Sequence, residues 1–260
     1  RDIDRHEIQN LSIGIALEGD FDAIHKKGDN SLCLPTDTMK NTVYALAGET
    51  REIEEVEAFG IRLANYLLVN NAQVKRVRLN LAEHGWKRMK VAGGEHDHSF
   101  VRGSVEKRIA LIDSTHEKTT VQSGVEDLIV LKTTRSGFAG FPRDKYTTLP
   151  EATDRIFSTA IKAVWRYETP EAAIDDLFHA IRQTIIEIFA THDSLSVQHT
   201  LYAMGEAVLE RFSEISEISF SLPNIHCLPI DMTKFGQENE NRIFVPTDEP
   251  HGLIEARLTR

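Results

Sequence analysis

A chain of 260 residues is long enough for one large domain or two similar halves with a substantial core. Its 41% hydrophobic and 27% charged content is that of a globular protein, and a formal charge of −10 argues against a nucleic-acid partner held by phosphate attraction. Two cysteines, Cys33 and Cys227, exclude a disulfide framework and point to a reducing compartment, and no apolar run reaches the roughly 18 residues of a membrane span. No signal peptide is read, and because the chain opens at Arg1 rather than Met, further residues are expected upstream.

Taken in order, HEIQNLSIGIALEG alternates as a strand, and TDTMKNTVYALA follows Pro35 as a short helix with Thr36 or Asp37 as its N-cap. Val56, Phe59, Leu63, Tyr66 and Leu67 recur at helical spacing. In QVKRVRLNLAEHGW, Val74, Arg76 and Arg78 alternate against Val77, Leu79 and Leu81, and SFVRGSVEKRIALIDST reads as the partner strand. KTTVQSGVEDLIVLKTTR reads as two β segments around Gly124, residues 137–150 as a structured loop, and FSTAIKAVWRY as a strand. A helix with Thr169 as N-cap and Pro170 at N1 carries Ile174, Leu177, Phe178, Ile181, Ile185, Ile188 and Phe189 on one stripe. Another begins near Ser196 and buries Leu201, Met204, Val208 and Phe212. Two β segments, through EISFSL and IHCLPIDM, close the order, with Leu228, Ile230 and Met232 on a core face. Strand, helix, helix, strands thus occurs twice, which suggests a duplicated α+β unit.

Five places set polar or aromatic groups against this pattern. Thr36 and Asp37 open a helix, where capping alone would account for them. Phe138 and Phe141 stand in a glycine-rich loop, explicable by loop packing. Arg155 precedes a strand, where a surface charge is the plain reading. Val197 and Gln198 lie in the first turn of a helix, whose free N–H groups suit an anion or only water. Asn224 and His226, two apart in an apparent strand, would share one face of it. The HDH triplet at His96–His98 lacks a third placed ligand and is a poor metal motif.

PTDTMKNTVYALA, VLKTTRSGFAGFPRDKYTTLPEATDRIFST, SVQHTLYAMGEAVLE, SLPNIHCLPID and VPTDEPHGLIEA, in this order, resemble the urate oxidase (uricase) family, in its bacterial form, over nearly the whole chain. The resemblance implies a tunnelling fold (T-fold): two antiparallel sheet-plus-helix units per chain, here 1–115 and 116–260, closing a barrel in a homotetramer. It implies an oxidase without metal or organic cofactor that converts urate, O₂ and water to 5-hydroxyisourate and hydrogen peroxide. Phe138 would stack on the purine, Arg155 would grip one edge and Gln198 the other, with the Val197 N–H beside it and Leu149 packed nearby. Thr36 and Asp37 would come from a neighbouring subunit. Asn224 would place O₂ or water above the ring, and His226 would relay protons through Thr36. The family's relay also uses a lysine on a strand that would precede Arg1, which leaves a catalytically impaired purine- or pterin-binding T-fold homologue as the alternative.

Overall fold

Alternation through Val77, Leu79 and Leu81 buries one face of a strand and leaves Arg76 and Arg78 on the other, and this pattern organises the first half of the chain. The computed structural model describes residues 3–172, 175–247 and 249–260. It divides into two compact units, Arg1–Val125 with Trp165–His179, and Glu126–Val164 with Ala180–Arg260.

In the first unit, β1 (Leu11–Gly19) and β2 (Val74–Val91) pair antiparallel, as do β2 and β3 (Gly94–Thr115). The next strand in the order is β4 (Thr119–Lys132), whose residues to Val125 belong here. Between β1 and β2 run α1 (Asp22–Lys27), α2 (Thr36–Glu49) and α3 (Val56–Val69). Val56, Phe59, Leu63 and Leu67 bury the inner stripe of α3, whereas Tyr66 falls outside it and is exposed. Gly60 permits close packing: a Cβ there would stand 2.8 Å from Ile112 Cγ1 and 3.1 Å from Leu81 Cδ1.

In the second unit, the remainder of β4 is followed in sheet order by β5 (Phe157–Tyr167, to Val164 in this unit), β6 (Ile215–Pro223) and β9 (Leu253–Thr259). Its helices are α4 (Asp175–Thr191, from Ala180 in this unit) and α5 (Val197–Arg211). Ile181, Ile185, Phe189, Leu201, Met204 and Val208 pack its core together with Phe157, Ile161, Ile218 and Phe220. A separate two-stranded sheet holds β7 (His226–Pro229) and β8 (Phe244–Thr247).

Several sequence expectations need correction. Pro35, fixed at φ −60° and ψ 142°, takes the N-cap position of α2, so Thr36 is already helical and no side chain caps this end. The Asp37 carboxylate instead accepts from Lys40 Nζ at 2.6 Å and Asn41 Nδ2 at 2.9 Å. Val74 is buried beside Val77 because a register shift at Glu18/Gly19 breaks the alternation. β4 runs unbroken through Gly124. Thr169 and Pro170 introduce a separate 3₁₀ turn, Pro170–Ala172, rather than α4, and Ile174 lies outside the described residues. Phe212 is half-buried at the C-cap of α5.

The segment 225–232 is also shorter as a strand than expected. β6 ends at Pro223 and β7 ends at Pro229, so Leu228 is 54% exposed and Ile230 and Met232 are only half-buried. β7 pairs with β8 in its own two-stranded sheet, which supplies no extended core face.

Charge also enters the first unit's core. Glu57 is fully buried, and its carboxylate accepts from Arg108 at 2.7 and 3.3 Å and from the Ser123 hydroxyl. Arg108 also donates to Asp175 and lies 4.2 Å from the Phe178 ring centroid. Burial pulls the guanidinium pKa down, but Glu57 and Asp175 outweigh that and leave it raised. Glu57→Ala would leave the buried Arg108 cation with only the half-exposed Asp175 as counter-charge, so we expect a loss of about 3 kcal/mol in urea unfolding. A loss below about 1 kcal/mol would show the pair to be energetically neutral.

Candidate active site

The second unit gathers most of the polar oddities onto one backbone lattice. Gly137 and Ser136 form its centre. The Arg155 N–H donates to the Ser136 carbonyl at 2.7 Å, Gly137 N–H to Ser194 O at 2.7 Å, and Ser194 N–H to Arg135 O at 3.0 Å. Phe138 and Ala152 exchange two bonds, at 2.7 and 3.0 Å. These links join the loop carrying Phe138, the start of β5 and the α4–α5 connection. A Cβ at residue 137 would stand 3.0 Å from Thr153 O and 3.1 Å from Ala152 O, so any larger residue would have to push this backbone back by a few tenths of an ångström. Asp154 closes the lattice by accepting from Thr134 Oγ1 at 2.7 Å and Ser136 N at 3.3 Å, which hold its pKa below the usual carboxylate value. Ser136, Asp154 and Ser194 were not picked out from the sequence; small polar residues flanking a glycine-rich loop were their only signal.

On this lattice Phe138 is half-buried, stacked on Phe141 with ring centroids 4.9 Å apart and 13° between planes. The Arg155 guanidinium carbon lies 5.6 Å from the Phe138 ring centroid. Arg155 is half-buried, and its Nε is fully enclosed without a hydrogen-bond acceptor. No carboxylate among the described residues pairs with it. Burial lowers its pKa, but a guanidinium remains charged at neutral pH. A second enclosed polar group without a partner among the described residues, Thr159 Oγ1, belongs to the buried side of β5 with Phe157 and Ile161.

The first turn of α5 is set by Ser196, whose Oγ accepts from His199 N at 3.1 Å as a true N-cap. Val197 is buried and Gln198 is exposed. Asn224 N–H donates to Gly252 O at 2.8 Å, and Ile225 N–H to Ser158 O at 3.1 Å, three residues beyond Arg155. Asn224 lies between β6 and β7, while His226 opens β7 opposite Thr247. Leu149 is 47% exposed in the long loop, its carbonyl accepting from Arg143 at 3.3 Å.

Thr36 and Asp37 belong to the first unit, where both are exposed on α2. Thr36 borders a cavity of about 340 Å³ lined also by Leu11, Ile13, Met39, Lys40 and Tyr44. His96 and His98 meet edge to face with centroids 4.5 Å apart. Among the described residues, no group of three or more His, Cys, Asp or Glu side chains could hold a metal ion, and no helix is long and apolar enough to cross a membrane.

Comparison with known proteins agrees over the whole chain. The Uricase family profile matches residues 4–113 and 121–255. A uricase of Arthrobacter globiformis is 43% identical over 260 residues, covering 100% of this chain and 84% of that protein. A uricase of Danio rerio is 40% identical over 266 residues, covering 100% and 89%. The crystal structure of the Arthrobacter globiformis uricase superposes with a TM-score of 0.94 at 42% identity, covering 100% of this chain and 88% of that one.

Because the Ser196 hydroxyl satisfies an otherwise orphaned N–H, Ser196→Ala should cost about 1 kcal/mol and Ser196→Asp much less. Thermal denaturation of the two variants checks this; equal stability of both with the parent would remove the cap from the account.

Proposed function

The chain belongs to the uricase family, and on that basis we propose how its residues carry out the oxidation of urate. The activity is that of a urate oxidase, an oxidoreductase that converts urate, O₂ and water to 5-hydroxyisourate and hydrogen peroxide. The architecture is the α+β tunnelling fold of that family.

The observation that carries the assignment of the site is Arg155. A partly desolvated guanidinium with an enclosed, unsatisfied Nε and no carboxylate partner is costly unless a ligand completes it. A planar anion with adjacent acceptors matches its fork, and the nearby Phe138 ring offers a surface for a purine plane. In this reading Gln198 and the Val197 N–H hold the opposite edge, where a helix N-terminus favours negative charge. Leu149 packs beside the ligand, and Asn224 places O₂ or water above it.

Thr36 and Asp37 reach the same ligand from a neighbouring subunit of a homotetramer, whose sheets close a barrel and whose sites lie at subunit interfaces. The units 1–115 and 116–260 are the repeating halves of that barrel. The bacterial relative supports a cytoplasmic location. Urate is an electron-rich anion, and its dianion can pass an electron to O₂ directly, so the protein's task is orientation, proton removal and exclusion of water. Thr36 and His226 move the protons, the imidazole accepting and handing them on toward peroxide.

Arg155→Ala should weaken binding of a non-reacting urate analogue at least about tenfold, because charge-assisted bonds are lost. Arg155→Lys should recover only part, since an ammonium cannot match the fork. Calorimetric affinities unchanged in both variants would place the ligand elsewhere.

His226→Ala should lower turnover by roughly 10²-fold, as expected for loss of a proton-transfer group, while analogue affinity stays within about threefold. Urate loss followed by ultraviolet absorbance, set beside the calorimetry, separates the two effects. An equal fall in both would make His226 a binding residue rather than a relay.

A further inference from the structure

Lys132 ends β4 in surroundings that a lysine ordinarily avoids. Its ammonium lies 5.9 Å from the Phe157 ring centroid and 5.5 Å from that of Phe189, two rings tilted against each other at 5.1 Å. Nζ donates to the His192 carbonyl at 2.7 Å, immediately beyond the C-terminus of α4, where a cation also meets the negative end of the helix dipole. Burial, and then the Arg135 charge, lower its pKa. A methionine would fill this aromatic slot without that electrostatic cost, so the cation needs another justification.

His192 supplies one. Its ring Nδ1 lies 3.1 Å from Thr200 Oγ1, and Thr200 is fully buried in α5. The connection from His192 to Thr200 is therefore fastened at both ends. At one end it is tied to Lys132, at the other to the helix it introduces. Between them Ser194 is locked to Arg135 and Gly137, and Ser196 caps the turn. The residues held inside this clasp are Val197 and Gln198.

We propose that Lys132 is a positioning residue for substrate: through His192 and Thr200 it holds the Val197 and Gln198 N–H groups in register with Phe138 and Arg155. This rests on the reading of the α5 N-terminus as one edge of the urate site. The N–H groups serve ground state and transition state alike, so the effect belongs in binding rather than in turnover.

Lys132→Met keeps the stem and the aromatic contact while removing the donor and charge. It should raise both the KM for urate and the Kd of a non-reacting urate analogue roughly tenfold, with kcat within about twofold. Lys132→Arg, which restores a cationic donor, should recover most of the affinity. Thr200→Val opens the clasp at its other end and should reproduce the affinity loss, with Thr200→Ser recovering it, so the test survives if Lys132→Met fails to fold. A lowered melting temperature with unchanged KM and Kd would make the clasp merely structural and overturn the proposal, as would a loss confined to kcat. Arg155→Ala run alongside separates the two ideas. If it weakens analogue binding and the Lys132 and Thr200 variants do not, positioning by Lys132 is wrong and the site stands. If it does not, the site itself is misplaced.

Discussion

A loop cannot enter a protein interior with its peptide groups unpaired, and Ser136 and Gly137 show how this chain meets that demand. Their neighbours are reached not by a regular ladder but by single bonds to two separate segments: Asp154 and Arg155 on the approach to β5, and Ser194 between two helices. Arg135 even stands at φ 59°, in the left-handed region, to let the chain turn there. Each bond is worth only about 1 kcal/mol net, yet together they fix relative positions that no single strand or helix could. Phe138, Arg155 and the start of α5 inherit their geometry from this junction, so the chemistry proposed here depends on main-chain satisfaction first and on side chains second.

Two arginines taken from water show opposite solutions to one electrostatic problem. Arg108 is surrounded by Glu57 and Asp175, and its charge is raised in stability within the protein. Among the described residues Arg155 has no such partner, and burial is the cause that lowers its pKa. The first arrangement is complete without any ligand; the second is not. That contrast separates a structural cation from the proposed binding one more sharply than burial does. It also explains how a chain of formal charge −10 can take an anionic substrate, since the attraction is local and acts where water is scarce.

Legibility in the sequence followed periodicity. The strand over 157–167 and the buried stripe of α5 were readable because each presents an uninterrupted pattern to one neighbour. Tyr66 and Val74 were misread where that assumption failed, one by lying off the buried stripe and one by a shift in register. β8 and β9 were not read because LIEARLT offers no clean alternation and β8 contains Pro246. Most candidate site residues stand out as polar or aromatic exceptions, Leu149 enters only through resemblance to a family, and the roles of all of them come from that resemblance. The lattice beneath them was invisible for a physical reason: Ser136 and Ser194 act through main-chain groups, which every residue possesses.

The separation of Asn224 from His226 follows from the same main-chain logic. Up to Pro223 the chain pairs with β9, and Asn224 still donates to Gly252. At Ile225 the partner changes to Ser158, and from His226 onward it is β8. Three partners within a few residues cannot be served by one flat strand, so a shared face does not explain why an amide and an imidazole lie so close. A shared reference does. Ser158, which anchors Ile225 between them, lies on the strand that begins just after Arg155. Asn224 and His226 are thus indexed to the segment that carries the proposed substrate cation, and the hand-over between partners frees each side chain from the alternation a continuous strand would impose.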